Sequence, residues 1–126
     1  MSMTAKITQQ ALDGFYGTSQ WYRHPFKMLL TDGTMFLLQN GGGWLIDAIG
    51  SYQMTRRLDV ETEGFQLWKL TVDTEKHTAV LTCQMDSNTP NLVEQEIPYT
   101  DFPLDEIKIY VEGEGDQRVC LLPSER

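Results

Sequence analysis

The chain has 126 residues, of which 40% are hydrophobic and 22% charged, and its 18 acidic and ten basic side chains give a net charge of −8. This length and composition predict one globular domain, residues 1–126, and exclude a disordered or fibrous chain. The longest apolar runs have four residues, whereas a membrane-spanning helix needs about 20, so we expect no membrane span.

Two segments of the N-terminal half have helix signals. Residues 5–13 predict a short helix with Thr4 as its N-cap and Gly14 as its C-cap. Residues 44–54 predict a longer helix, because their apolar side chains recur with the helical period and form one stripe. That stripe consists of Trp44, Leu45, Ala48, Ile49 and Tyr52.

The segment between these two helices predicts a β-hairpin. Residues 26–31 and 34–38 have the composition of strands, and Asp32-Gly33 between them accommodates the positive φ angles of a tight turn. A short helix over residues 34–39, capped by Asp32, is the alternative interpretation.

After a polar turn over residues 56–64, apolar and polar residues alternate in short runs that turn residues separate. The predicted strands are 65–72, 78–85, 92–99, 107–112 and 118–122. One side of the first carries Trp68, Leu70 and Val72, and one side of the second carries Ala79, Leu81, Cys83 and Met85. Short connections favour antiparallel neighbours. We therefore predict an α+β domain, with an antiparallel meander sheet of four to five strands in the C-terminal half and two helices packed on one face.

The connection over residues 99–106 is acidic and contains proline. We expect Asp101 to cap a single helical turn that Phe102 and Leu104 anchor to the core. A surface epitope that contacts a partner is the alternative.

Targeting and metal signals are weak. Residues 1–15 lack the basic and apolar regions of a secretory signal, which favours a cytoplasmic protein. Cys83 and Cys120 lie far apart in apolar runs and are expected to be reduced thiols. The two histidines and two cysteines do not have the spacing of a zinc site, so we expect neither a metal nor a cofactor.

Tyr22-Arg23-His24 is the densest polar cluster with potential chemistry. His24 can act as an acid or base if Asp47 or Asp32 orients it. The sequence offers no activated nucleophile. The glycine run 41–43 matches neither the Walker A motif nor the dinucleotide-binding motif, the two glycine-rich patterns that bind phosphate. A small hydrolase or transferase with a His24/Asp47 site near the glycine run is therefore the second interpretation. The first interpretation is structural: His24 hydrogen-bonds backbone carbonyls or pairs with Asp47 and so holds the helix against the sheet.

Negative charge is concentrated near the C-terminus, because residues 86–126 contain ten acidic and three basic side chains. The candidate binding residues, called the acidic stripe below, are Glu94, Glu96, Asp101, Asp105, Glu106, Glu112, Glu114 and Asp116. Alternate strand residues lie about 6.6 Å apart on one face. Such a surface attracts a basic protein and repels nucleic acid and anionic lipid. A solvated sheet face is the simpler interpretation, and a homo-oligomer is left open.

Six short motifs occur in order along the chain. They are Tyr22-Arg23-His24, Thr31-Asp32-Gly33, Trp44-Leu45-Ile46-Asp47-Ala48-Ile49, Phe65-Gln66-Leu67-Trp68, Tyr99-Thr100-Asp101-Phe102-Pro103-Leu104 and Leu121-Leu122-Pro123-Ser124-Glu125. Together they resemble a small uncharacterised bacterial family that occurs in phages, plasmids and bacterial genomes, including those of cyanobacteria. The resemblance implies no activity. Its mobile-element context favours a non-catalytic, acidic protein-binding module that inhibits a basic, nucleic-acid-handling host defence factor, as an anti-CRISPR protein does.

Overall fold

The computed structural model describes residues 7–54, 57–113 and 117–126, without the side chains of residues 59–61. The helical elements are α1 (Gln9–Asp13), α2 (Asp32–Leu37), a π-helical segment (Leu38–Gly42), α3 (Gly43–Ser51), a 3-10 turn (Tyr52–Met54), α4 (Arg57–Thr62) and a final 3-10 turn (Pro123–Glu125). The strands are β1 (Tyr22–His24), β2 (Met28–Leu30), β3 (Phe65–Asp73), β4 (Thr78–Gln84), β5 (Asn91–Ile97), β6 (Glu106–Glu112) and β7 (Val119–Leu121).

The strands form one mixed sheet in the order β1-β2-β7-β6-β3-β4-β5. β2 and β7 are parallel, and the other neighbouring pairs are antiparallel. The α+β class is thus confirmed. The predicted antiparallel meander of four to five strands does not match, since it omits β1, β2 and the parallel β2–β7 pair. In addition, β6 lies beside β3, whereas a meander would place it beside β5. β1, which the sequence analysis did not predict, has three residues, too few to show a two-residue period in sequence.

The first strand of the hairpin predicted around Asp32-Gly33, residues 26–31, contains β2, but the predicted turn and second strand are wrong, because Asp32-Gly33 begins α2. Thr31 is the N-cap, and its side chain and that of Thr34 bond to each other's backbone N–H in a capping box. The alternative interpretation, a helix, is the better one, although it begins earlier than residue 34 and is not capped by Asp32. The hairpin of this region joins β1 to β2, where Lys27 has a φ of 60°.

The helix predicted over residues 44–54 is confirmed as α3 and its 3-10 extension. At the N-terminus, α1 is shorter than predicted, because the Thr8 side chain accepts a hydrogen bond from the Ala11 N–H and starts the helix there. Thr4, the predicted cap, lies outside the described residues. Helix α4 occupies much of the segment that the sequence predicted as a polar turn.

Two of the three consecutive glycines make the kink between α2 and α3. Gly41 has a φ of 96°, which favours glycine. A Cβ on Gly42 would lie 2.8 Å from the Leu37 carbonyl oxygen. Asn40 Nδ2 donates to the Phe36 carbonyl oxygen at 2.7 Å within this kink. The glycines therefore form a defined helical connection.

One core lies between the helices and one face of the sheet. The predicted inward side chains of β3 and β4 are buried, namely Trp68, Leu70, Val72, Ala79, Leu81 and Cys83. They join Leu45, Ile46 and Ile49 of α3 in a single apolar cluster. Met85 is the exception among the predicted inward residues, because it follows the end of β4 and is exposed.

The connection before β6 does not form the predicted helical turn, so Asp101 caps no helix. Instead the Thr100 side chain accepts a hydrogen bond from the Phe102 N–H at 3.1 Å, and the Thr100 N–H donates to the His77 carbonyl oxygen at 2.8 Å. Phe102 is buried and Leu104 packs against the core, as predicted. One hydrogen bond within the connection and one to the turn between β3 and β4 replace those of the predicted helical turn.

Candidate functional site

His24 and Asp47, the predicted catalytic pair, do meet in the structure. His24 ends β1 and is buried, and its Nε2 lies 2.8 Å from Asp47 Oδ1 on α3. The Asp47 side chain is 61% exposed. This contact joins the β1–β2 hairpin to α3, which is the structural alternative that the sequence offered.

The second hydrogen bond of His24 defines its tautomer. Nδ1 accepts the Phe26 backbone N–H at 3.0 Å, so the proton of the neutral ring lies on Nε2 and is donated to Asp47. Neither nitrogen has a free lone pair in this arrangement. The ring also packs 5.3 Å from that of Phe26. This geometry stabilises the hairpin, and a role as general base would require one of the two hydrogen bonds to break.

The candidate nucleophiles lie in other surroundings. Ser51 Oγ donates to the Ala48 carbonyl oxygen at 2.7 Å. Both Cys83 and Cys120 are free and buried. Burial, with a smaller contribution from the negative charge of Glu125, raises the pKa of the Cys120 thiol far above its usual range. The hydrolase or transferase interpretation stays a prediction.

Asp32, the second possible partner of His24, anchors the loop before β1. Its Oδ2 accepts the Ser19 N–H at 2.8 Å, and its Oδ1 accepts the Tyr22 hydroxyl at 3.2 Å. Desolvation, this hydrogen bond and the charge of Asp32 all raise the pKa of Tyr22. The Asp32 carboxylate therefore stabilises the loop before β1.

We expect replacement of His24 by alanine to lower the free energy of unfolding by about 2 kcal/mol, because the change removes a buried ring and leaves the Phe26 N–H without its acceptor. Urea denaturation followed by tryptophan fluorescence measures the effect. The control is Asp47→Asn, which should change stability by less than about 1 kcal/mol because the amide oxygen can still accept the His24 Nε2–H. Equal midpoints for His24→Ala and the unaltered protein would contradict the structural assignment.

A contact between two motifs that lie far apart in the chain has no sequence signal. Glu125 Oε1 accepts the Thr31 hydroxyl at 2.6 Å and the Leu122 N–H at 3.0 Å, and Oε2 accepts the Gly33 N–H at 3.0 Å. A carboxylate is favourable at a helix N-terminus, here that of α2. A Cβ on Gly33 would lie 2.5 Å from Glu125 Oε1, so the contact requires glycine.

A second polar cluster lies within the core. Gln53 and Gln66 exchange two amide hydrogen bonds, of 2.7 and 2.9 Å, and Trp68 Nε1 donates to Gln66 Oε1 at 2.8 Å. Gln53 Nε2 also donates to the Ile49 carbonyl oxygen at 3.1 Å. This cluster links α3 to β3 and leaves the amide groups satisfied, which is typical of a structural network.

The structure brings only part of the acidic stripe together. Glu94 and Glu96 lie on β5, opposite Thr82 and Val80 of β4, and both are exposed. Their neighbours Val93 and Cys83 face the core. Because side chains alternate along a strand, both glutamates lie on the sheet face away from the helices.

Two further members of the stripe, on β6, have basic neighbours. Glu106 lies 3.7 Å from Lys69 Nζ and 3.9 Å from Lys108 Nζ. Glu112 Oε1 lies 2.5 Å from Arg126 Nε. The guanidinium of Arg126 also lies 4.7 Å from the ring centre of Phe65. These contacts compensate much of the negative charge on β6.

The remaining members contribute unequally. Asp101 and Asp105 are exposed in the connection before β6. Asp105 Oδ1 accepts the Thr74 hydroxyl at 3.5 Å, and its carbonyl oxygen accepts the Val72 N–H at 2.8 Å. Glu114 and Asp116 lie outside the described residues. The compact part of the stripe is therefore Glu94 and Glu96.

Among the residues that the structure describes, no group of three or more histidine, cysteine, aspartate or glutamate side chains is arranged to hold a metal ion. Within the same residues, none of the helices combines the length and the apolar character needed to cross a membrane.

Comparison with known proteins extends the sequence resemblance. No curated protein and no solved structure matches the chain. A family model covers it almost completely and spans all six motifs, which confirms the predicted membership of an uncharacterised family. The chain belongs to the family of unknown function DUF6876, whose model matches residues 6–126.

Proposed function

We propose that the protein is a non-catalytic binding module that recognises a basic protein through Glu94 and Glu96. The observation that carries this proposal is their position, side by side and exposed on one face of β5. No lysine or arginine within the described ranges forms an ion pair with either. Among the described residues, these two carboxylates are therefore not neutralised by a basic neighbour and can contact a partner.

The charge of the whole molecule supports this choice of partner. The net charge is −8, so the long-range field attracts a basic surface and opposes the approach of nucleic acid. Because Glu106 and Glu112 are paired with cations, the members of the acidic stripe on the described strands that lack an ion pair are the two glutamates of β5. Direct binding to DNA or RNA is disfavoured by the net charge.

The biological setting indicates which kind of basic protein is the target. The motif resemblance suggests an origin in phages, plasmids or other mobile elements, in which small acidic proteins act on host machinery. A cytoplasmic, basic, nucleic-acid-handling defence factor fits both the setting and the charge. Family membership supplies no activity that could decide between this target and others.

Affinity capture from the natural host tests the proposal. The unaltered protein and Glu94→Lys/Glu96→Lys are compared by quantitative mass spectrometry, with Glu63→Lys/Glu75→Lys as a control of equal net charge on two exposed turns. We expect the unaltered and control proteins to retain a basic protein and Glu94→Lys/Glu96→Lys to lose it. Its retention should also fall about tenfold or more between 0.1 and 1 M salt, where the Debye length shrinks from about 10 to 3 Å.

Two outcomes contradict the proposal. One is a partner that both double variants retain equally, since the contact would then not depend on Glu94 and Glu96. The other is binding that does not change with ionic strength, since attraction between charges on a surface is screened by salt.

A further inference from the structure

β5 is one edge of the sheet, and it is suited to accept another strand. It has seven residues and pairs with β4 alone among the described strands. An edge strand presents backbone N–H and carbonyl groups to a partner. The opposite edge, β1, has only three residues, so β5 is the longer template.

A cationic side chain of another element already donates a hydrogen bond to the backbone of β5. The register between β4 and β5 shifts at Cys83/Gln84, so that Val93 and Asn91 have partners and Leu92 between them has none. The Leu92 carbonyl oxygen instead accepts Arg57 Nη2 of α4 at 2.8 Å. A guanidinium therefore satisfies a backbone acceptor at the start of this strand.

A second copy of the chain is a poor occupant of this edge. If two β5 strands paired in antiparallel fashion about Gln95, Glu94 of one copy would lie opposite Glu96 of the other. Like charges directly opposite each other destabilise a strand pair. Charged edge residues are a common means by which proteins prevent such self-association.

We propose that β5 binds an extended basic segment of a partner protein by strand addition. This inference rests on the proposed function and specifies how the basic partner binds. Lysine or arginine at alternate positions would lie opposite Glu94 and Glu96. The intervening residues, β-branched or apolar, would lie on the inner face beside Val93 and the half-buried Ile97. Backbone hydrogen bonds supply affinity, and the two glutamates select the sequence.

The probe is a synthetic, fluorescein-labelled peptide of alternating lysine and valine, long enough to span β5. Its binding to the full chain is measured by fluorescence anisotropy at low salt. We expect saturable binding that weakens about tenfold in Glu94→Gln/Glu96→Gln and is unchanged in Glu63→Gln/Glu75→Gln. Circular dichroism of each variant, compared with that of the unaltered protein, establishes that the fold is retained.

Two N-methylated forms of the peptide separate strand addition from charge attraction alone. Each carries methyl groups on alternate backbone nitrogens, so only one form blocks the hydrogen-bonding edge that faces β5. We expect one form to lose binding and the other to retain it. Hydrogen exchange should also slow at backbone amides of β5 when the unmodified peptide is added.

Several results would overturn the inference. Equal binding of both N-methylated forms, with the glutamate dependence kept, would show contact through charge without strand addition and would leave the proposed function intact. A peptide that does not bind would also overturn it, while capture of a host protein through Glu94 and Glu96 would keep the proposed function. Self-association of the unaltered protein that slows hydrogen exchange at the backbone amides of β5 would identify a second copy as the occupant.

Discussion

Replacing Glu125 by alanine is expected to lower the free energy of unfolding by about 3 kcal/mol. The substitution removes the acceptor of three hydrogen bonds, which come from the Thr31 hydroxyl and from the N–H groups of Gly33 and Leu122. Two of these donors belong to backbone at the start of α2 and at the end of β7. Urea denaturation measures the loss, and the slope of the unfolding free energy against urea concentration should be the same for both proteins.

Controls separate this contact from general fraying of the C-terminus. Ser124→Ala should change stability by less than about 0.5 kcal/mol, because its hydroxyl makes only a 3.5 Å contact to the Leu12 carbonyl oxygen. Gly33→Ala should destabilise the protein by displacing Glu125, and its cost should shrink in the Glu125→Ala background. A loss for Glu125→Ala no greater than that for Ser124→Ala would show that the contact does not stabilise the fold.

Replacing Gln66 by leucine is expected to cost a similar amount, about 3 kcal/mol, although it adds an apolar side chain to the core. Trp68 Nε1–H would lose its acceptor, and the Gln53 amide would lose both hydrogen bonds to Gln66. These groups are buried, so water cannot replace the lost partners. Thermal unfolding by circular dichroism and urea denaturation both report the change.

The matched control for Gln66 is Gln95→Leu, which removes the acceptor of the half-buried Tyr52 hydroxyl and should cost about 1 kcal/mol. Adding Gln53→Leu to Gln66→Leu should cost less than the sum of the two single changes, because their shared hydrogen bonds can be lost only once. Strict additivity would mean that the two amides act independently and that the network is not a unit.

The elements that were predicted correctly have strong local patterns. α3 has an apolar stripe of helical period, and β3 and β4 alternate buried and less buried residues along most of their length. Such patterns involve residues close in sequence. They therefore indicate which face of a helix or strand is buried even when the tertiary contacts are unknown. A three-residue strand such as β1 contains too little pattern to be distinguished from a turn.

Asp32-Gly33 shows how tertiary contacts choose between local signals. The dipeptide is typical of a tight hairpin turn, yet Thr31 and Thr34 around it can also form a capping box. The Glu125 carboxylate, which accepts the Gly33 N–H, favours the helix. That acceptor lies 92 residues away in sequence, so no local window contains it.

The sequence by itself determined the α+β class, the main strands of the C-terminal half, the negative charge and the likeness of six motifs to one family. Tertiary structure decided which charges remain available, because Lys69, Lys108 and Arg126 reach Glu106 and Glu112 only across neighbouring strands or from the chain end. It also placed Glu94 and Glu96 at a sheet edge, since strand order depends on long-range pairing. Composition sets the total charge, and the packing of distant segments sets where that charge can act.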